Sequence, residues 1–491
     1  MRISPHRHCS ETLRIGLPIA IGQVGVIILG FADTMMVGRY ATSALAAASF
    51  VNNLFNLVTM LLLGYSYGLT PLVSGCLGRG SARSGGSVLH TALQSGASFT
   101  ALIMLLCAAV FILLPWLGQP AELLPLIRPY FLLMLASMPF VMLFNLVRQF
   151  TDAFTDTAAG MWVLLIGNAF NILLNYLLIY GIGPFPEWGL TGAGIATLAA
   201  RVFMALAICA YVWQDRRYRQ ARLGLAAVRP TPSMRRTMHR QSVPVALQLG
   251  METGAFTASC IMAGWLGVTE LAAYQVMVTI GTLGFLVYYS FGAAMSIRIA
   301  GFIGAGNLAA VRPATRAGVV LLLASATVAA GVFLGFGDSL LRFFTGDEAV
   351  LAMAATLLFP LALYQFADSM QTCYANALRG TSHVVSMMWI AFVSYILVNI
   401  PLGYLLGFPL GFGIRGLYFA FTGGLLCAAV LYAWRFYKVL GKLHYFFHKS
   451  AISRHDKVQG NPTIRFWRND KTYSRTSRLH LIEYFLNLLN I

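Results

Sequence analysis

Apolar stretches long enough to cross a bilayer follow one another along almost the whole of this chain. A spanning helix needs about 20 mostly apolar residues. Runs of that kind fall at 15–37, 50–75, 92–116, 125–147, 160–183 and 190–213. Six more follow at 243–266, 273–300, 314–337, 351–376, 384–407 and 413–437. Backbone groups in hydrocarbon must be satisfied within their own segment, so the runs are expected to be helices. The expected fold is therefore all-α and integral to the membrane, with twelve transmembrane helices.

Charge is sparse and unevenly placed. Only 10% of the 491 residues are charged, against about 25% in a soluble domain. The net charge of +18 could suggest nucleic acid, but its distribution excludes that partner. All five lysines lie near the C-terminus, and arginines crowd between apolar runs, most densely from Arg216 to Arg240. Basic loops of this kind mark the cytoplasmic side of a membrane protein. Arg79, Arg83, Arg148, Arg312, Arg316 and Arg379 read as loop residues on that same side. Both termini are expected in the cytoplasm. The basic N-terminus leads into an apolar run without a cleavage site, which reads as a retained first helix. The seven cysteines show neither a CxxC pair nor metal-ligand spacing and read as small buried hydrophobes.

The two halves repeat. With a shift of 226 residues and no gap, Pro18 falls on Pro244 and Gly38 on Gly264. Leu45-Ala46-Ala47 falls on Leu271-Ala272-Ala273, and Gly75, Gly78 and Gly80 fall on Gly301, Gly304 and Gly306. Such internal repetition is a fold-level signal. It predicts two pseudo-symmetric six-helix lobes, residues 1–213 and 241–440, joined by a basic cytoplasmic linker at 214–240. Residues 441–491 read as a flexible basic tail able to meet anionic lipid. Each half has an even number of spans, so the repeat axis lies along the membrane normal, with a site expected between the halves.

Three acids stand inside apolar runs: Asp33, Glu252 and Asp368. Carboxylates at membrane depth are costly and normally functional. Glu252 and Asp368 are each about ten residues from the same membrane face, or ~15 Å deep, near the middle of a core about 30 Å thick. Two such acids must share a proton, bind a metal cation such as Na+, or face a cationic guest. Asp33 lies in the outer half of helix 1. Asn171 and Asn175 share one face of helix 5, and helix 6 offers Thr197. Oxygen donors of this kind suit Na+ or a relayed proton. Pro18 removes a backbone hydrogen bond and permits a bend before Asp33, whereas Pro244 reads as a first-turn proline. The intramembrane charges are read as acidic throughout. No GxxxxGK[ST] motif is present, so an ATP-driven pump is not expected. There is no HExxH or GxSxG constellation, and His90 and His383 read as loop residues, so no enzyme is expected.

Taken together, these residues resemble the MATE (multidrug and toxin extrusion) family, in its NorM-type branch. LPIAIGQVGVIILGFADTMMVGRYATSALAAAS looks like its first helix, SVPVALQLGMETGAF its seventh, ALYQFADSMQTCYANALRG its tenth, and GLTGAGIATLAAR the start of its sixth. The resemblance covers residues 10–440. It implies a C-lobe cation site of Glu252, Asp368 and Tyr364. It also implies an N-lobe site of Asp33, Asn171, Asn175 and Thr197, with Pro18 as the bend in helix 1. By resemblance only, Gln275 and Asp347 line the drug cavity. Phe154-Thr155-Asp156 stands where relatives carry a glycine-rich turn. The implied function is secondary active export of organic cations by antiport with Na+ or H+. The protein would be a monomer in the bacterial inner membrane, without a cofactor. The alternative is a lipid-linked oligosaccharide flippase, which would be expected to carry basic residues in its cavity.

Overall fold

The computed structural model describes residues 5–116, 120–227 and 229–459. All regular elements among them are helical. In chain order, α1 is Pro5–Tyr40, α2 Thr42–Gly78, α3 Ala82–Trp116, α4 Leu124–Ala153, α5 Thr157–Tyr180 and α6 Gly189–Gln214. The second half repeats the series. α7 is Pro232–Leu266, α8 Val268–Gly304, α9 Leu308–Gly335, α10 the bent pair Glu348–Ala355 and Leu358–Gly380, α11 Val384–Gly407 and α12 Gly413–Gln459.

Among the described residues ten helices are long and apolar enough to cross a membrane, and the α10 pair, bent by 50°, makes an eleventh. The twelfth expected span falls on α7. That helix is long enough at 35 residues, but it buries Gln241, Ser242, Gln248, Glu252 and Ser259. A polar helix is tolerated at membrane depth only where its polar face meets protein or a cavity. α11 carries a π-helical stretch at Phe392–Asn399, a local widening that often accompanies a functional site.

Two separate apolar cores match the two lobes. One centres on Phe55, Phe131, Met138 and Phe150, the other on Tyr274, Met277, Tyr364 and Phe421. The lobes meet where α2 packs on α7 and α8, and where α1 packs on α8 and α9. Glycines make this approach close. A Cβ on Gly64 would come within 2.8 Å of the Ala246 Cα, and the Gly78 and Gly304 positions abut the backbones of Gly301 and Gly75. Small residues at helix interfaces in lipid allow such backbone contact. Nearby, Arg298 of α8 donates to the His8 carbonyl at 2.6 Å, to Thr12 Oγ1 at 2.7 Å and to Glu11 at 2.7 Å. The lobes are thus closed at the end that carries the basic loops.

Several expectations change. Arg148 and Arg379 are not loop residues: they lie in the last turns of α4 and α10, 7% and 4% exposed. Pro244 is interior to α7 rather than in its first turn, and Pro18 likewise lies inside an unbroken α1. His90 lies within α3. The linker contains a helix, Arg219–Ala227, docked on α3 by a hydrogen bond from Ser87 Oγ to the Gly224 carbonyl at 3.1 Å. The described residues from Leu440 to Gln459 belong to a separate unit and are helical. The rest of the expected tail, 460–491, lies outside the described residues.

Candidate functional site

Glu252 occupies the buried face of α7, one turn after Gln248, whose Nε2 donates to Glu252 Oε2 at 2.9 Å. The π-helical stretch of α11 turns Tyr395 inward, where its hydroxyl also bonds Glu252 and accepts from Gln371 Nε2 at 2.7 Å. Asp368, on α10, is 1% exposed and its charge interacts with that of Glu252. Asp368 Oδ2 has no hydrogen-bond partner, and neither do Gln248 Oε1, the Tyr418 hydroxyl or either polar atom of the Asn399 amide. Such orphans are rare in a finished interior and call for an explanation. Tyr364 lies one turn before Asp368 and is buried.

Glu252 and Tyr364 wall a cavity of about 320 Å³, otherwise mostly apolar and aromatic, with Phe256, Tyr274, Met277 and Phe421 prominent. A second, larger hollow of about 630 Å³ runs between the outer part of α1 and α8, lined by Ile27, Phe31, Met35, Thr282 and Phe343. Neither Gln275 nor Asp347 lines the cavity of Glu252. Gln275 donates to Cys260 Sγ at 3.2 Å, and Asp347 caps a helix, accepting from Ala349 N at 2.8 Å.

In the other lobe, Asp33 Oδ1 accepts from Asn175 Nδ2 at 2.6 Å, and the same amide donates to Asn171 Oδ1 at 2.9 Å. Thr197 is not drawn into this group: its hydroxyl donates to the Ala193 carbonyl of its own helix at 3.0 Å. One turn beyond Thr197 stands Arg201, in the middle of α6. It donates to Ser137 Oγ at 2.6 Å and interacts electrostatically with Asp33. Tyr130 adjoins both charges and donates to Asn52 Oδ1 at 3.1 Å. The reading of the intramembrane charges as wholly acidic is therefore wrong. A single arginine inside the apolar run 190–213 is outweighed by its neighbours in any hydropathy pattern, yet its charge acts on Asp33.

Pro18 borders a third hollow, at the closed end of the lobes, together with Glu11, Arg14, Asp156, Arg217 and Arg298. It lies far along α1 from Asp33, as its position in the sequence requires.

The MatE family profile matches residues 18–177 and 244–405, one segment in each lobe. A probable multidrug resistance protein NorM of Xylella fastidiosa is 29% identical over 426 residues, 87% of this chain and 91% of that protein. A protein of the same description from Xanthomonas axonopodis pv. citri is 30% identical over 424 residues, 86% of this chain and 92% of that one. Among solved structures, an outward-facing multidrug resistance MATE family transporter superposes with a TM-score of 0.82 at 17% identity, covering 89% of this chain and 97% of that one. With matching segments in both lobes and relatives aligned over nearly their full length, this chain belongs to the MatE family.

Proposed function

We propose that this multidrug efflux transporter exports amphipathic organic cations by antiport against inward Na+ or H+, with Glu252 and Asp368 carrying the coupling cation. The observation that supports this reading is the unpartnered oxygen of Asp368, whose charge interacts with that of Glu252, itself on the wall of an aromatic cavity. A buried carboxylate with an unpartnered oxygen needs a proton or a cation to offset its desolvation. The unpartnered Gln248 oxygen, on the side chain that bonds Glu252, and the Tyr418 hydroxyl on the wall of the same cavity suit a small hard cation. Aromatic and methionine walls offer contact area to many guests without demanding one shape. A guest cation and the coupling cation compete for the same charge, and exchange follows when their relative affinities differ between two conformations. Asp33, Asn171 and Asn175 form a second acidic site that takes part in the cycle.

The lobes, at 1–213 and 241–440, rock about the linker at 214–240. The basic loops put the closed end in the cytoplasm, so the cavity faces outward and both termini are cytoplasmic. The protein acts as a monomer in the bacterial inner membrane.

The test is ethidium transport by purified protein in liposomes, under an imposed Na+ gradient and then an imposed pH gradient, for wild type and Glu252→Gln. Transport driven by one gradient and lost in the variant is the expected result. Failure of both gradients to drive any of several organic cations in wild type rejects the reading.

A further inference from the structure

Arg148 and Arg379 come from corresponding places in the two lobes, each three residues after an asparagine, Asn145 and Asn376. Both are more than nine-tenths buried, and both line one small cavity of about 20 Å³ between the lobes at their closed end. Arg379 donates to the Tyr289 hydroxyl at 3.3 Å and to Asn376 Oδ1 at 3.0 Å, and its guanidinium carbon stands 5.0 Å from the centre of the Tyr67 ring. Tyr67 in turn packs on Tyr289 across the interface, ring centres 5.3 Å apart. Arg379 Nε has no partner, and Ser296 Oγ on the same wall has none either. The Arg148 guanidinium makes no hydrogen bond among the described residues. Neither arginine forms an ion pair among the described residues. Glycines leave room for Arg148: a Cβ on Gly160 would meet its Cγ at 2.9 Å.

The cavity wall holds two guanidiniums against one carboxylate, Asp152, which interacts with Arg148 and whose Oδ1 has no hydrogen-bond partner. Glu252 interacts with Arg379 but faces the larger outer cavity and not this one. Buried positive charge in excess is costly unless it is paired. The guanidinium N–H groups and the Ser296 hydroxyl are donors that suit an anion, and the Asp152 carboxylate opposes it. A cavity needs about 10–15 Å³ to hold one water, so the space admits one small species and excludes a phosphate or an organic acid.

We propose that Arg148 and Arg379 together bind a single halide, chloride under ordinary conditions, between the lobes. Half of the site belongs to each lobe, so it is complete only while this end is closed. A ligand bound to one conformation alone stabilises it by mass action. Chloride would then hold the closed end shut until the cycle parts the two arginines.

The experiment is thermal unfolding of the full-length protein in NaCl against isosmotic sodium gluconate, paired with bromide anomalous diffraction of wild-type crystals grown in NaBr. The expected result is a saturable rise of a few degrees with chloride, absent in gluconate and absent in Arg148→Gln. A bromide peak should lie between the two guanidiniums. The bromide measurement needs no variant and stands even if Arg148→Gln does not fold. Equal melting in chloride and gluconate, a chloride response that persists in Arg148→Gln, or no bromide between the arginines would each overturn the proposal.

Discussion

Gly78 lies directly against the backbone carbonyl of Gly301, leaving no room for a Cβ between them. The reciprocal contact sets Gly304 against Gly75, and the shift of 226 residues exchanges one pair for the other. The repeat seen in the sequence is thus also the symmetry of the contact that closes one end of the molecule. Gly78→Val would force the backbones apart, and overpacking of a close contact costs about 1–3 kcal/mol. The expected outcome is a lower melting temperature and slower drug export. Gly30→Val is the control, since nothing lies within 4 Å of its Cβ position. Identical melting of Gly78→Val and wild type would mean that this contact does not hold the lobes.

Glu252→Gln and Asp368→Asn keep the size of each side chain and remove its charge. Each replacement keeps the shape and polar atoms of the side chain and relieves the desolvation of a buried charge, so folding should survive. Export driven by the coupling gradient should fall at least tenfold in each variant, a change of about 1.4 kcal/mol. Dye efflux from vesicles at matched expression measures it. Wild-type rates in both would remove these acids from the coupling step.

Arg201 and Asp33 should behave as a pair. Arg201→Gln leaves Asp33 without its counter-charge, and Asp33→Asn leaves the arginine alone. The double variant should recover part of the loss, with a coupling energy of about 0.5–3 kcal/mol in a thermodynamic cycle. Denaturation of the four proteins in one detergent supplies the cycle. Strict additivity would show that the two charges act independently.

The acids were legible in the sequence because a carboxylate is conspicuous in an apolar run, and their helix positions followed from depth alone. The asparagine pair was legible from its spacing, and the structure joins it to Asp33. Thr197 was misplaced because composition cannot say whether a hydroxyl bonds across helices or back to its own turn, as this one does. Arg148 and Arg379 were read as loop residues because topology rules assign arginines near span ends to water. Their burial depends on the opposite lobe, which local sequence does not report. α7 reads as a span from its apolar run at 243–266, although its polar face keeps it below the apolarity of the others.

One carboxylate anchors the start of the linker. Asp156 accepts from the Tyr211 hydroxyl at 2.9 Å and the Tyr218 hydroxyl at 2.8 Å, and Arg217 stands 3.3 Å away. Tyr218 is fully buried, so Asp156→Ala would strand its hydroxyl at a cost of about 1–3 kcal/mol. Hydrogen–deuterium exchange over residues 216–227 should then speed up while the helices keep their protection. Beside it, the backbone N–H of Arg217, and then its guanidinium, hold the Asp215 carboxyl below the usual carboxylate range. A carboxyl whose pKa is lowered on folding adds stability above its unfolded value, and that contribution is lost as pH falls through the folded one. Exchange in the same segment should therefore quicken, after correction for intrinsic rates, as the pH drops below the ordinary aspartate range, and Asp215→Asn should abolish that acid-dependent part. An unchanged acid response in Asp215→Asn would assign it to another group.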